Sequence, residues 1–201
     1  MMNRCTWPGN DPDYIRYHDE DWGVPVLDGK ELFAKLILDG AQAGLSWITI
    51  LRKRPDYYRA FDGLDPDLMA GYDRDKVASL LSDPGIVRNK LKIEAAITNA
   101  QSFLSLREKG IDFGSYLWKH VDFRPLANAF GCKEEVPTSS AASDAMSKEL
   151  KRDGFKFVGT TICYAFMQAV GMVQDHITPC YRHQEIKDLS TGINWSQAFR
   201  I

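Results

Sequence analysis

The chain has 201 residues, enough for one self-sufficient core, so neither a disulfide scaffold nor a metal-only mini-fold is required. Apolar residues make up 44%, charged residues 26% and aromatics 11%, a globular balance that excludes intrinsic disorder and fibrous repeats. The formal charge of −2 gives no broad positive field, so any binding of nucleic acid must be local.

The first residues, Met1 to Trp7, lack the apolar core of a signal peptide. The longest uncharged stretch, Phe157 to Gln174, holds Thr160, Thr161, Tyr164 and Gln168 and is too short and polar for a membrane span. Four cysteines, Cys5, Cys132, Cys163 and Cys180, are spread without the density of a secreted scaffold. A reduced, cytoplasmic protein with no membrane segment is expected.

Apolar residues recur at helical spacing, and the fold class is read as all-α. From Asp28, Leu32, Phe33, Leu36 and Ile37 form one stripe that ends or bends near Gly40 and Gly44. A second helix carries Trp47, Ile48 and Leu51. Asp65-Pro66 opens another, with proline where a missing N–H costs nothing, and Asp73 opens a fourth through Val77, Leu80 and Leu81. Ile93, Ile97, Ala100 and Leu104 mark a long helix closing at Gly110. The segment from Val121 to Thr138 shows no clear pattern. Ser143 or Asp144 is expected to cap a helix through Met146 and Leu150 that stops at Gly154, and a final apolar helix runs from Gly159 to about Gly171. The domain spans 1–182, and 183–201 is read as a polar tail lying loosely on the surface.

Cys5 and His18 near the start, with His176 and Cys180 near the end, form a two-thiol, two-imidazole set suited to a closed tetrahedral Zn2+ site that would clip the termini together. The alternative is two ordinary thiols and surface histidines. Cys163 reads as core, and His120 and His183 as surface groups. Between Gly154 and Gly159 lies a short hairpin. Beyond it, the free amides at Gly159, Thr160 and Thr161, with the charges of Lys151, Arg152 and Lys156, suit a nucleic-acid phosphate. A plain interhelical turn with a solvated charge run is the competing reading. Arg88, Lys90 and Lys92 form a second basic cluster. Tyr14, Tyr17, Trp22 and Trp47 supply faces on which a planar base can stack, and Asp39 a carboxylate for a cationic or electron-poor purine; alternatively these aromatics are core and Asp39 ends a helix.

Four ordered blocks, Tyr17 to Pro25, Gln42 to Thr49, Pro137 to Ser139 and Gly154 to Tyr164, strongly resemble the 3-methyladenine DNA glycosylase I family of the helix-hairpin-helix DNA glycosylase superfamily, over nearly all of the chain up to Cys180. The resemblance implies an all-helical helix-hairpin-helix fold and a structural zinc on Cys5, His18, His176 and Cys180. It also implies excision of 3-methyladenine from alkylated double-stranded DNA, as a monomer. The family's base pocket carries over onto Tyr14, Tyr17, Trp22 and Trp47. Where the family typically has a glutamate that hydrogen-bonds the alkylated adenine, this chain has Asp39, one methylene shorter. Leu45, between Asp39 and Trp47, is expected to wedge into the gap left in the base stack. Lys156, Gly159, Thr160 and Thr161 would hold the DNA backbone. The region Val158 to Thr161 lacks the lysine that related bifunctional enzymes keep as a Schiff-base nucleophile, so no strand cleavage is expected. A non-catalytic protein that binds damaged DNA is the competing function.

Overall fold

Short polar side chains start most of the helices, as the sequence suggests. In the computed structural model, which describes residues 3–199, Asp11 accepts the amides of Asp13 and Tyr14 ahead of α1 (Pro12–Glu20). Asp28 starts α2 (Gly29–Gln42), and α3 (Trp47–Ala60) follows after the turn at Gly44. Asp65 starts the short α4 (Pro66–Met69), Asp73 starts α5 (Arg74–Ser82) and Asn89 starts α6 (Lys90–Glu108). Asp112 starts α7 (Phe113–Trp118). Each such cap satisfies amides that the first helical turn leaves without partners.

α8 (Ala141–Arg152) begins one turn earlier than expected. Its cap is Ser140, and Ser143 completes a reciprocal capping box from the third helical position. α9 (Thr160–Ala169) starts at Gly159 and ends just before Gly171, whose φ of +74° and tight approach to Gly23 and Pro25 leave no space for a side chain.

The centre of the molecule is α2, buried nearly all round from Leu32 to Ala41 and packed against α3, α6, α7 and α9. The expected stripe on α6 is rotated by part of a turn. Ile93, Ala96, Ala100 and Phe103 face the core, while Ile97 and Leu104 are half-exposed. No described helix is long and apolar enough to cross a membrane.

Two segments depart from the sequence reading. The stretch after Val121 contains β1 (Leu126–Ala127), which pairs in parallel with β2 (Val173–Gln174), Leu126 opposite Val173. Two-residue strands show no periodicity, so only the tertiary pairing reveals them. The polar tail is a correction: α10 (Tyr181–Thr191) and α11 (Trp195–Phe199) are both helical. Trp195 and Phe199 are buried against Trp118, with ring centres 5.0 and 5.8 Å away. These two aromatics complete the core, so the segment is not loose; Arg200 and Ile201 lie outside the described residues.

Candidate active site and metal centre

α1, α2, α3 and α9 converge on a cavity of about 350 Å³ lined by Tyr14, Tyr17, Trp22, Asp39 and Trp47, the aromatic and acidic residues singled out in the sequence. Its size suits one planar heterocycle. The Tyr17 and Trp47 rings stand 5.4 Å apart at 47°. Trp7, which sequence reasoning missed, is the hub of the wall, with its ring 5.5 Å from Tyr14, 6.2 Å from Tyr17 and 5.3 Å from Trp22. Only its aromatic character marks it in the sequence.

Three polar atoms on this wall are buried without a partner: Asp39 Oδ2, Trp47 Nε1 and Trp7 Nε1. Such atoms normally find hydrogen bonds, and leaving them unmade carries a desolvation cost. Burial pushes the Asp39 carboxyl up to about 7, against a smaller opposing pull from the Lys35 ammonium. The carboxylate is therefore poised to accept a donor or a cation. The same wall borders a second recess of about 240 Å³ containing Lys35, Arg54 and Glu31. The Tyr14 hydroxyl is already engaged, accepting the Ile48 amide at 3.0 Å. That bond caps α3, whose own cap residue Ser46 bonds the Thr49 hydroxyl at 2.8 Å and leaves the backbone amides of the first turn uncapped by its side chain.

Opposite lies Asp175, also absent from the sequence reading. It is buried, yet it receives the Tyr164 hydroxyl, the Gln168 amide and the Asn128 amide, each at 2.7 Å. Nothing local in the chain signals it, because β1–β2 pairing brings Asn128 to it. Unlike Asp39, Asp175 has its hydrogen bonds made within the protein.

The turn between α8 and α9 leaves open space at Gly159 and exposes Thr161 and Lys156. The Thr160 hydroxyl is not free, since it donates to Asp144 and lies 3.0 Å from the Ser143 hydroxyl. Arg152 is engaged with Glu149 and Asp153. Phe157 in this turn holds a φ of +55°, unusual for a residue with a side chain. Leu45 does not line the cavity; it sits 40% exposed on the turn after Gly44. Within the second basic cluster, Lys92 turns inward to the carbonyls of Ala41 and Ala43.

The four candidate metal ligands meet. Their donor atoms in Cys5, His18, His176 and Cys180 all lie within 4.8 Å of one another, and all four residues are buried. Two thiols and two imidazoles so placed can hold a metal ion. The distal nitrogens are held as well: His18 Nδ1 lies 2.7 Å from Asp19, which Arg4 grips, and His176 Nε2 lies 3.0 Å from the Trp22 carbonyl. Such partners fix the ring orientation of ligating histidines. Gly23 makes this possible, because a Cβ there would sit 3.1 Å from the His176 ring. The two other histidines are not free surface groups: His120 lies 3.1 Å from Glu149, and His183 lies 2.7 Å from the His176 carbonyl. Cys163 is in the core and Cys132 is exposed.

Comparison with known proteins gives concordant matches. A family model described as methyladenine glycosylase matches residues 7–183. DNA-3-methyladenine glycosylase 1 of Escherichia coli (strain K12) is 49% identical over 179 residues, covering 89% of this chain and 96% of that protein. DNA-3-methyladenine glycosylase of Haemophilus influenzae is 42% identical over 180 residues, covering 90% and 97%. A solved structure of 3-methyladenine DNA glycosylase I from Staphylococcus aureus, concerned with its recognition of 3-methyladenine, superposes with a TM-score of 0.86 at 34% identity, covering 90% of this chain and 96% of that one.

Proposed function

The chain belongs to the methyladenine glycosylase family, and on that premise we propose that it is a base excision repair DNA glycosylase that hydrolyses the N-glycosidic bond of 3-methyladenine in alkylated DNA. The observation that carries this reading is the Asp39 carboxylate, buried without a partner in a base-sized cavity beside the rings of Tyr17 and Trp47.

Methylation at N3 gives the adenine ring a positive charge. When the bond from the base to C1′ breaks, its electron pair passes into the ring and cancels that charge, so the base leaves neutral; water adds to C1′ and loses a proton. Little general-base assistance is needed. The protein's work is to extrude the nucleotide, hold the flat cation and leave the normal base unfavoured. Tyr17 and Trp47 present aromatic faces to the ring, Asp39 accepts its hydrogen bond and complements its charge, and Tyr14 and Trp22 complete the wall. Leu45 is the wedge into the vacated stack.

The helix–turn–helix of α8 and α9 is read as the helix-hairpin-helix element. The amides of Gly159, Thr160 and Thr161 and the Lys156 ammonium take a phosphate of double-stranded DNA. The Thr160 hydroxyl, already bound to Asp144, contributes through its amide. The Cys5, His18, His176 and Cys180 cluster is read as a structural Zn2+ site: with four protein ligands it has no open position, so it stabilises the fold and pins Trp22 to the pocket. The main apolar cluster runs from Val26 through Val173 to Trp195 and Phe199, so the one domain read over residues 1–182 also takes in α10 and α11. The protein is read as a cytoplasmic monomer without lyase activity, because no lysine stands at Val158 to Thr161. Incubation with methylated DNA, followed by analysis of freed bases and of strand integrity, tests the reading. It calls for 3-methyladenine release without strand scission, whereas tight binding with no release would favour a non-catalytic damage-binding protein.

A further inference from the structure

The charge cluster at the start of α6 reads in the sequence as a phosphate contact, yet the Lys92 ammonium points into the protein. Its Nζ donates to the Ala41 carbonyl at 2.7 Å and to the Ala43 carbonyl at 2.6 Å. Ala41 lies in the last turn of α2, the helix that carries Asp39 and Gln42, and Ala43 is the cap residue just past it, leading directly into the exposed turn of Gly44, Leu45 and Ser46. A helix C-terminus with free carbonyls is an electronegative end, which would repel a DNA backbone drawn close to that turn. One ammonium both satisfies the carbonyls and cancels that charge.

Two helical turns further along α6, on the same face and about 10 Å away, Asn99 makes a matching contact. Its Nδ2 donates to the Lys156 carbonyl at 3.1 Å, and its Oδ1 accepts the Lys156 amide at 2.7 Å. Asn99 is 4% exposed. One face of α6 thus grips both the turn bearing Leu45 and the turn bearing Lys156. We propose that Lys92 is a positioning residue, which holds the Leu45 turn at a set distance from the α8–α9 turn so that both engage one duplex, and that it makes no phosphate contact itself. The inference rests on the glycosylase reading above, because it assigns Lys92 to the step in which the nucleotide leaves the stack.

The test compares wild type, Lys92→Met and Lys92→Arg in three measurements: single-turnover release of 3-methyladenine from methylated DNA, binding of free 3-methyladenine, and the salt dependence of binding to a duplex containing an abasic analogue. Lys92→Met is expected to slow release by about 10- to 100-fold, the scale of a 1 Å misplacement. Free-base binding should change by less than about twofold, because the cavity walls are untouched, and the salt slope should stay constant. Lys92→Arg should recover most of the rate. Unchanged release in Lys92→Met overturns the inference. So does an equal loss of free-base binding, which would mark a merely structural role, or a slope reduced by about 0.9, which would mark a phosphate contact. Equal defects in the Met and Arg variants also overturn it. Failure of wild type to release any base refutes the glycosylase reading itself, and is read separately from the variants.

Discussion

Tyr17 and Trp47 lie 5.4 Å apart at 47°, and between the helices that carry them the Asp39 carboxylate is buried with one oxygen unbonded. A charge placed there without a partner costs the fold stability, and the arrangement is useful only if a cation arrives to match it.

The first prediction follows from that cost. Burial raises the pKa of the Asp39 carboxyl in the folded state to about 7, from an ordinary carboxylate value near 3.8. A group raised in the folded state contributes stability below its unfolded value, and that contribution is lost as pH rises through the folded one. The wild type should therefore lose roughly 4 kcal/mol from this group between about pH 4 and pH 8. Asp39→Asn should remove that dependence and be the more stable protein at pH 8. Chemical denaturation at pH 5 and pH 8 checks this, and an identical pH dependence in both proteins would contradict it.

The metal cluster supplies the second. Arg4 holds the Asp19 carboxyl below its usual range, and Asp19 in turn fixes the His18 ring. On the proposed Zn2+ reading of that cluster, Arg4→Ala should weaken zinc affinity by about tenfold, and a strong chelator should lower the thermal midpoint of the wild type. Competition with a chromophoric chelator measures the first effect and thermal unfolding the second.

Much of this was legible in the sequence, because its signals are local. Asp28, Asp65 and Asp73 announce helices through their own neighbouring amides, and Cys5, His18, His176 and Cys180 are recognisable as donors by residue type alone. What escaped depends on contacts far apart in the chain. β1 has meaning only beside β2, Asp175 only beside Asn128 and Tyr164, and Trp7 only as the neighbour of the rings of Tyr14, Tyr17, His18 and Trp22. The tail was misread because its polar residues outnumber Ile186, Trp195 and Phe199, the three that are buried.

That misreading gives the third prediction. Trp195 packs on Trp118, whose indole N–H donates to the Val26 carbonyl in the middle of the core. Trp195→Ala should destabilise the protein by about 3 kcal/mol while leaving base release by the folded protein unchanged at 25 °C. Denaturant unfolding checks it, and a change within about 0.5 kcal/mol would return the segment to the surface.

A fourth concerns the α8–α9 turn. Lys156→Ala should weaken binding to duplexes of any sequence and reduce the slope of log affinity against log salt by about 0.9, the signature of one lost phosphate contact. Unchanged affinity and an unchanged slope would mean that Lys156 acts only through its backbone bonds to Asn99.

The central claim is that a flat cation, drawn out of the duplex, is held by Tyr17 and Trp47 against the charge of Asp39. Single-turnover release of 3-methyladenine from methylated DNA at pH 8, with wild type and Asp39→Asn in parallel, tests it most directly. The account predicts release by the wild type and a loss of about 100-fold in the variant, the size of a charged hydrogen bond made at the reacting base. Equal rates in a folded Asp39→Asn protein would contradict it.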